Sequence, residues 1–300
     1  MTPNTPVQWL KLWVEASRPA TLWAAFVPVL VGTALVSMNH TINIFTACLI
    51  FTTAGFIQIG TNFVNDYKDA QTGADDENRL GPRRATASGL IRASTMKSAA
   101  AIVLFLATLG GVFLIQIGGW VIAVIGILSI LSAIAYTAGP MPLAYVGLGD
   151  VFVLLFFGII AVCGTEYVLA GACSTQGLLL GTAVGAVATG ILVVNNLRDM
   201  HTDIKVGKRT LAVRFGATFT RWEYAFLLAL AHACIAAVAL MTPNLRGLLI
   251  LFVITIPWSM HCIRAVWTRE GVALNAYLGK TAQLELLMGL GISGVCLWSN

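Results

Sequence analysis

Nine apolar runs, broken only by short polar stretches, leave this chain few ways to fold. A membrane-crossing helix needs about 20 apolar residues at ~1.5 Å rise each. The runs at 20–38, 43–63, 95–117, 120–137, 150–170, 177–197, 222–241, 246–264 and 281–299 all meet that length or approach it. Of the 300 residues, 58% are hydrophobic and 10% charged, against roughly a quarter charged in soluble domains. Mean hydropathy is +0.84. Inside a bilayer every backbone N–H and C=O must be satisfied within the protein, which admits helices and closed barrels. The length of the runs selects helices. The expected fold is all-α: one polytopic membrane domain over 1–300, with about nine transmembrane helices in a bundle around a central cavity.

The first run after Arg18 is too long for the apolar core of a signal peptide, so it reads as a span. Before it, Trp9, Leu10, Leu12 and Trp13 beside Lys11 suggest a short helix lying in the membrane interface. Six cysteines, Cys48, Cys163, Cys173, Cys234, Cys262 and Cys296, fall in or next to apolar runs with no C-x-x-C spacing. They read as small buried hydrophobes, so neither a disulfide nor a zinc site is expected.

The net charge of +5 comes from orientation rather than from nucleic-acid binding. With the N-terminus cytoplasmic, every basic residue except Arg246 falls on cytoplasmic segments, as the positive-inside rule requires. Trp120, Trp222, Trp267 and Trp298 sit near span ends, where interfacial tryptophans collect. The bacterial inner membrane is the expected location.

Two polar islands interrupt the hydrocarbon, both on the cytoplasmic side. The first, 62–92, holds five of the 13 acidic residues: Asp66, Asp69, Asp75, Asp76 and Glu77. The second, 195–216, follows span six, four spans after the first. Asn62-x3-Asp66 and Asn195-x3-Asp199 share spacing and place, which suggests a weak parallel repeat of a four-helix unit. Continued as helices, Asn62, Asp66 and Asp69 would share one face, and Asn195, Asp199 and Asp203 another. Carboxylates clustered in a partly dry mouth need a cation, and hard oxygen ligands select Mg2+ or Ca2+ rather than zinc; Mg2+ is the one usually shared with substrate phosphates. Lys68, Arg83, Arg84, Arg198, Lys205, Lys208 and Arg209 stand beside them. Acids with bases in this mixture suit a metal-bridged diphosphate. A diphosphate at the mouth of an apolar bundle implies a lipid tail within it. A transporter would instead place its ionisable groups near the membrane midplane; here the acids gather at one face. Asp150 could cap span five after Gly149. No role emerges for Glu166, near the far end of that span.

These motifs resemble the UbiA superfamily of intramembrane aromatic prenyltransferases. The stretches SRPATL (17–22), NDYKDAQTGADDENRLGPRRATASGLI (65–91), YTAGPMPLAYVGLGDVFVLLFFG (136–158) and NNLRDMHTDIKVGKRTLAVRFG (195–216) are similar to its 1,4-dihydroxy-2-naphthoate polyprenyltransferase branch. Gly73, Asp75, Gly81, Pro82 and Arg83 carry the part most particular to that branch. Ala20 departs from the lysine that many relatives place after Arg-Pro. The resemblance fades beyond about residue 216. It implies transfer of a polyprenyl group from an allylic diphosphate to the naphthoate, with decarboxylation, giving demethylmenaquinol. Another aromatic acceptor, 4-hydroxybenzoate or homogentisate, is the sister alternative. It also implies Mg2+ held by Asp66, Asp69, Asp199 and Asp203 with help from Asn62 and Asn195, and diphosphate met by Lys68, Arg83, Arg198 and Lys208. Arg18, Tyr136 and Asp150, near the cytoplasmic mouth, would help place the acceptor or gate the site.

Overall fold

The computed structural model describes residues 5–73 and 79–299; Asp75, Asp76 and Glu77 of the first motif lie outside the described residues. Those residues form helices and no strand. In order they are α1 (Pro6–Ser17), α2 (Pro19–Ser37), α3 (Ile44–Thr72), α4 (Ala93–Ala135), α5 (Gly149–Leu154), α6 (Ile160–Ala170), α7 (Thr175–Lys205), α8 (Leu211–Met241), α9 (Phe252–Thr268) and α10 (Asn275–Trp298). A π-turn, Leu155–Ile159, fuses α5 and α6 into one crossing, and a 3-10 segment, Pro243–Leu251, leads into α9. Eight segments are long and apolar enough to span. The 43-residue α4 turns back at Gly119, whose φ of 63° and ψ of −151° leave the helical region. Counted as two arms, 93–118 and 120–135, α4 raises the eight long apolar segments to nine helical stretches, the number of spans expected.

Local chemistry sets the ends. Asn43, Ser174 and Thr210 cap α3, α7 and α8, each side-chain oxygen accepting a backbone N–H of the first turn. Gly73 and Gly171 end α3 and α6 in the left-handed conformation. Four boundaries differ most from the hydropathy reading. Helices α3 and α7 run on through the polar motifs to Thr72 and Lys205, because the intrahelical hydrogen bonds continue past the hydrocarbon. Helix α8 begins at Leu211 rather than 222 and bends at Gly216. The last helix begins at Asn275 rather than 281, directly after a 3-10 turn, Gly271–Leu274.

Helix α7 is the central post, packed against α2, the α5–α6 crossing, α8 and α10. Glycines at 177, 181 and 185, four apart, line one face of it. A Cβ on Gly185 would lie 2.5 Å from the Leu154 carbonyl oxygen and 2.9 Å from the Gly158 Cα. One on Gly158 would lie 2.4 Å from the Gly181 carbonyl oxygen. The two backbones therefore touch, as small residues allow in membrane bundles. This contact holds the α5–α6 wall close to the helix that carries the second motif.

At the opposite end from the motifs, Glu166 accepts the Ser174 N–H at 3.2 Å and the Ser174 hydroxyl at 2.7 Å. Ser174 Oγ in turn accepts the Gly177 N–H at 2.8 Å. Glu166 thus closes the start of α7, where a carboxylate also complements the helix dipole. Beside it Cys163 and Cys173 form a disulfide, which corrects the expectation of none. Reversal of the chain at Gly171 brings their Cα atoms to 4.9 Å, within bridging range, a proximity that spacing along the sequence does not reveal. Of the other cysteines, Cys234, Cys262 and Cys296 are buried, as expected, and Cys48 is exposed.

The outer surface is apolar. Trp120, Trp222 and Trp298 are strongly exposed, and Trp222 meets Trp267 edge-on with centroids 5.2 Å apart. The midplane is less empty of charge than the hydropathy pattern suggests: Glu285 on α10 is 1% exposed and both carboxylate oxygens lack a partner. It lies ten residues along α10 from Asn275.

Gly185→Val should destabilise the protein by about 1–3 kcal/mol through overpacking and lower the thermal midpoint in detergent. Gly294→Ala, which faces open space, should leave the midpoint within a degree or so of wild type on the same scale.

Candidate functional site

The elbow between α1 and α2 forms one wall. Proline at 19 starts α2, where its missing N–H is no loss, and it drives the preceding residue out of the right-handed region. Arg18 takes the left-handed conformation at φ 54° that closes α1, its N–H donating to the Glu15 carbonyl, a conformation costing on the order of 1–3 kcal/mol for a non-glycine residue. The elbow is held from α3: Asn62 Nδ2 donates to the Ser17 carbonyl and to Thr21 Oγ1, both at 2.9 Å. The strain aims the Arg18 side chain inward, where Nε and Nη2 are shielded and have no hydrogen-bond partner. Desolvation, with the like charge of Arg84 second, pushes this guanidinium well below its usual range.

The first motif lies on the last three turns of α3. Asn62, Asp66 and Asp69 are buried. Asp66 is fixed by the loop that follows: its carboxylate accepts the Thr86 N–H at 2.9 Å and the Ala85 N–H at 3.3 Å. Asp69 Oδ1 is buried with no partner. Lys68 is half-buried, 5.7 Å from the Tyr67 ring centre.

The second motif lies on the last turns of α7. Arg198, 2% exposed, grips Asp199 through Nε at 2.7 Å and Nη2 at 2.5 Å. It also donates to Asn195 Oδ1 at 2.8 Å and Asn275 Oδ1 at 2.7 Å. Its donors therefore serve the protein's own acceptors, contrary to the expectation that they face a diphosphate. Asp203 Oδ1 is 3.6 Å from Lys208 Nζ, while Oδ2 is buried and unpartnered.

The two motifs meet. Asp203 experiences the charges of Asp199 and of Asp69 across the mouth. Arg84 is pushed down by desolvation and pulled back by Asp69 and Asp66, and it also feels Arg198 and Asp199. Arg79 is lowered to about 10 by desolvation and by Arg84. Tyr145 ties the sides together. Its hydroxyl lies 3.2 Å from Thr72 Oγ1 on α3, its ring is 5.7 Å from Lys208 Nζ, and its carbonyl accepts the Arg209 N–H. Desolvation raises the Tyr145 phenol.

Below the mouth opens an apolar cavity of about 410 Å³. Thr61, next to Asn62, and Tyr136 line its upper end; Leu114, Ile122 and Val168 line its far end. Phe152 and Phe156 in its wall stack with centroids 5.8 Å apart. Desolvation, with Asp150 next, raises the Tyr136 phenol, so it stays a neutral donor between cavity and acids. Asp150 lies in the first turn of α5 rather than at its cap, buried, with Oδ1 unpartnered.

The expected acids are thus brought together, with Lys208 and Arg18. Arg83 is exposed; its neighbour Arg84, with Arg79, faces the acids instead. Both lie in a non-helical loop, where no periodicity signals direction. Asn275 and Tyr145 carried no sequence signal at all. The donor set fits a hard divalent cation: one shielded, unpartnered carboxylate oxygen comes from each motif, and oxygen-only ligands favour Mg2+ or Ca2+.

The profile of the UbiA prenyltransferase family matches residues 25–283. The chain is 38% identical to 1,4-dihydroxy-2-naphthoate octaprenyltransferase of Escherichia coli, covering 93% of this chain and 92% of the relative. It is 36% identical to the protein of that name in Mycobacterium tuberculosis, covering 94% and 95%. Among solved structures, a UbiA homolog from Archaeoglobus fulgidus bound to GPP and Mg2+ superposes with a TM-score of 0.69 at 16% identity, over 94% of this chain and 99% of that one; at that identity the likeness speaks for the fold. The profile match spans most of the chain, and this protein belongs to the UbiA prenyltransferase family.

Proposed function

We propose that the protein transfers the prenyl group of an allylic polyprenyl diphosphate to 1,4-dihydroxy-2-naphthoate with loss of CO2, giving demethylmenaquinol and diphosphate. The observation that carries this reading is the pair of unpartnered carboxylate oxygens, Asp69 Oδ1 and Asp203 Oδ2, at the head of an apolar cavity. The names of the full-length relatives supply the acceptor.

Each substrate part has a place of matching chemistry. The hydrocarbon tail runs down the cavity between α3, α4 and the α5–α6 wall. Asp66, Asp69, Asp199 and Asp203, with Asn62 and Asn195 adjacent, would hold Mg2+, which when bound would supply charge neutralisation of the leaving diphosphate. Lys68, Lys208, Arg79 and Arg84 add positive charge around the phosphate oxygens. Arg18 presents Nε and Nη2 to the acceptor carboxylate, a geometry suited to bidentate pairing. Tyr136 orients the acceptor at the cavity rim.

The allylic C–O bond breaks with its electron pair leaving on the diphosphate. The cation left on the prenyl carbon is shielded from water by the apolar wall and faced by the Phe152–Phe156 pair. The ring carbon bearing the carboxylate forms the new C–C bond. The bond to that carboxylate then breaks, its electrons restore the aromatic ring, and CO2 departs. The charge pattern supports an inner-membrane protein with both motifs and the N-terminus in the cytoplasm.

Membranes given 1,4-dihydroxy-2-naphthoate and a ladder of prenyl diphosphates should form the decarboxylated prenyl quinol, seen by mass, in a reaction stopped by EDTA and restored by Mg2+. Product only from 4-hydroxybenzoate or homogentisate would reassign the acceptor. Asp66→Ala and Asp199→Ala should each lose about 10²–10³-fold in turnover, as removal of a transition-state electrostatic group does. Arg84→Ala should raise KM for the diphosphate roughly 10-fold or more, the worth of a charged hydrogen bond, while the exposed Arg83→Ala should change it little. In intact cells, Asp75→Cys and Lys208→Cys should stay shielded from an impermeant maleimide that reaches Arg246→Cys; labelling of the first two from outside would reverse the orientation.

A further inference from the structure

We infer that Asn275, at the start of α10, is a positioning residue that locks the loop of the first motif onto the second motif, and through both sets the acidic mouth. It is not in contact with the proposed substrates. The inference deepens the proposed function and rests on it only for its kinetic consequences.

The side chain bridges two remote segments. Asn275 Oδ1 accepts from Arg198 Nη1 at 2.7 Å, across 77 residues of sequence. Asn275 Nδ2 donates to the Leu80 carbonyl at 2.7 Å, across 195 residues. The chemistry fixes which end of the amide faces which partner, because a guanidinium can only donate and a carbonyl can only accept. A side chain carrying both an acceptor and a donor at that reach is required, and aspartate supplies only the first.

Its own backbone is well placed to act as a fixed post. Leu274 is fully buried and Tyr277 is 4% exposed, so apolar packing pins α10 on both sides of Asn275. Gly271, at φ 57°, makes the turn that sets the helix start. From this post the two hydrogen bonds reach different parts of the site. Arg198, held by Asn275, grips both oxygens of Asp199. Leu80, held by Asn275, belongs to the loop that carries Arg79 and Arg84 and whose Ala85 and Thr86 N–H groups fix Asp66. The loop also lies directly on the guanidinium: a Cβ at Gly81 would be 2.9 Å from Arg198 Nη2. Asn275 thus connects the fixed carboxylate of one motif to the fixed carboxylate of the other.

Two variants separate the halves of the bridge. Asn275→Asp keeps an acceptor for Arg198 and loses the donor to Leu80; Asn275→Leu loses both at similar volume. Amide hydrogen exchange of the metal-free protein in detergent should speed up roughly tenfold over residues 79–86 in both variants, the loss expected for one hydrogen bond, with peptides of α4 and α8 unchanged. In the prenyl transfer assay, Asn275→Leu should raise both the Mg2+ concentration for half-maximal rate and KM for the diphosphate by about tenfold, with kcat falling less. Asn275→Asp, retaining the Arg198 contact, should recover part of the Mg2+ requirement. Unchanged exchange over 79–86 in folded variants would overturn the inference. So would faster exchange with Mg2+ and diphosphate requirements at wild-type levels, which would leave Asn275 a purely structural link. A wild-type protein that exchanges as expected but transfers no prenyl group would refute the proposed function and leave the loop-to-helix lock standing.

Discussion

Ionic groups that have lost most of their water are the constraint on which the rest of this structure depends. Asp66, Asp69 and Asp203 are buried at the end of an apolar bundle, and Arg18, Arg79 and Arg84 are desolvated within each other's fields. Neither sign is stable there alone, since burying an unpaired charge carries a penalty of several kcal/mol per ion. The chain answers by placing both signs in one mouth and by spending rigid groups on holding them. Backbone amides fix Asp66, a two-point grip fixes Asp199, and an amide from α3 fixes the elbow that aims Arg18. Shielded donors on Arg18 and shielded acceptors on Asp69 and Asp203 are left for anionic and cationic partners respectively.

Such precision needs walls that do not move, and in a bilayer the hydrophobic effect does not supply them, because lipid tails are as apolar as the helices. Close backbone packing does. The glycines of α7 bring the α5–α6 crossing into van der Waals contact with it, and the far end is fastened by the Glu166–Ser174 cap and the Cys163–Cys173 bond. One helix thereby joins a tightly built far end to the second acidic motif, with the cavity wall between them. This gives Glu166 a role as the clasp of α7, remote from any chemistry.

Much of this was legible in the sequence, and the physical reason differs by feature. Spans are legible because the bilayer dictates their length. The two motifs are legible because carboxylates are rare in such a chain, and their shared helical faces because α3 and α7 continue unbroken through them. What escaped depends on direction and on contact between distant segments. Arg83 and Arg84 are chemically identical neighbours, and only the loop conformation turns the second inward. Arg198 sits beside Asp199 in sequence as it does in space, yet its full set of internal partners follows from the arrival of α10. The disulfide escaped because a reversal at Gly171 brings together two cysteines that read as unrelated apolar residues. Glu285 escaped as well: a single acid within an apolar run does not alter the hydropathy pattern, and the structure buries it with both carboxylate oxygens unpartnered.

The two motifs also divide their work in the same way, which bears on the matching Asn-x3-Asp spacing. In each, the aspartate four residues after the asparagine is held by the protein: Asp66 by loop amides, Asp199 by Arg198. In each, the next aspartate along the helix, Asp69 or Asp203, keeps a shielded oxygen without a partner. The asparagine differs, Asn62 donating to the α1–α2 elbow and Asn195 accepting from Arg198. A site with all four carboxylates fixed would be rigid but saturated, and one with all four free would repel itself apart without a cation. One fixed and one open carboxylate per helix keeps the mouth assembled before a ligand arrives and still leaves it oxygens to offer. Because the open pair comes from two helices, a cation bound between them would also bridge the helices.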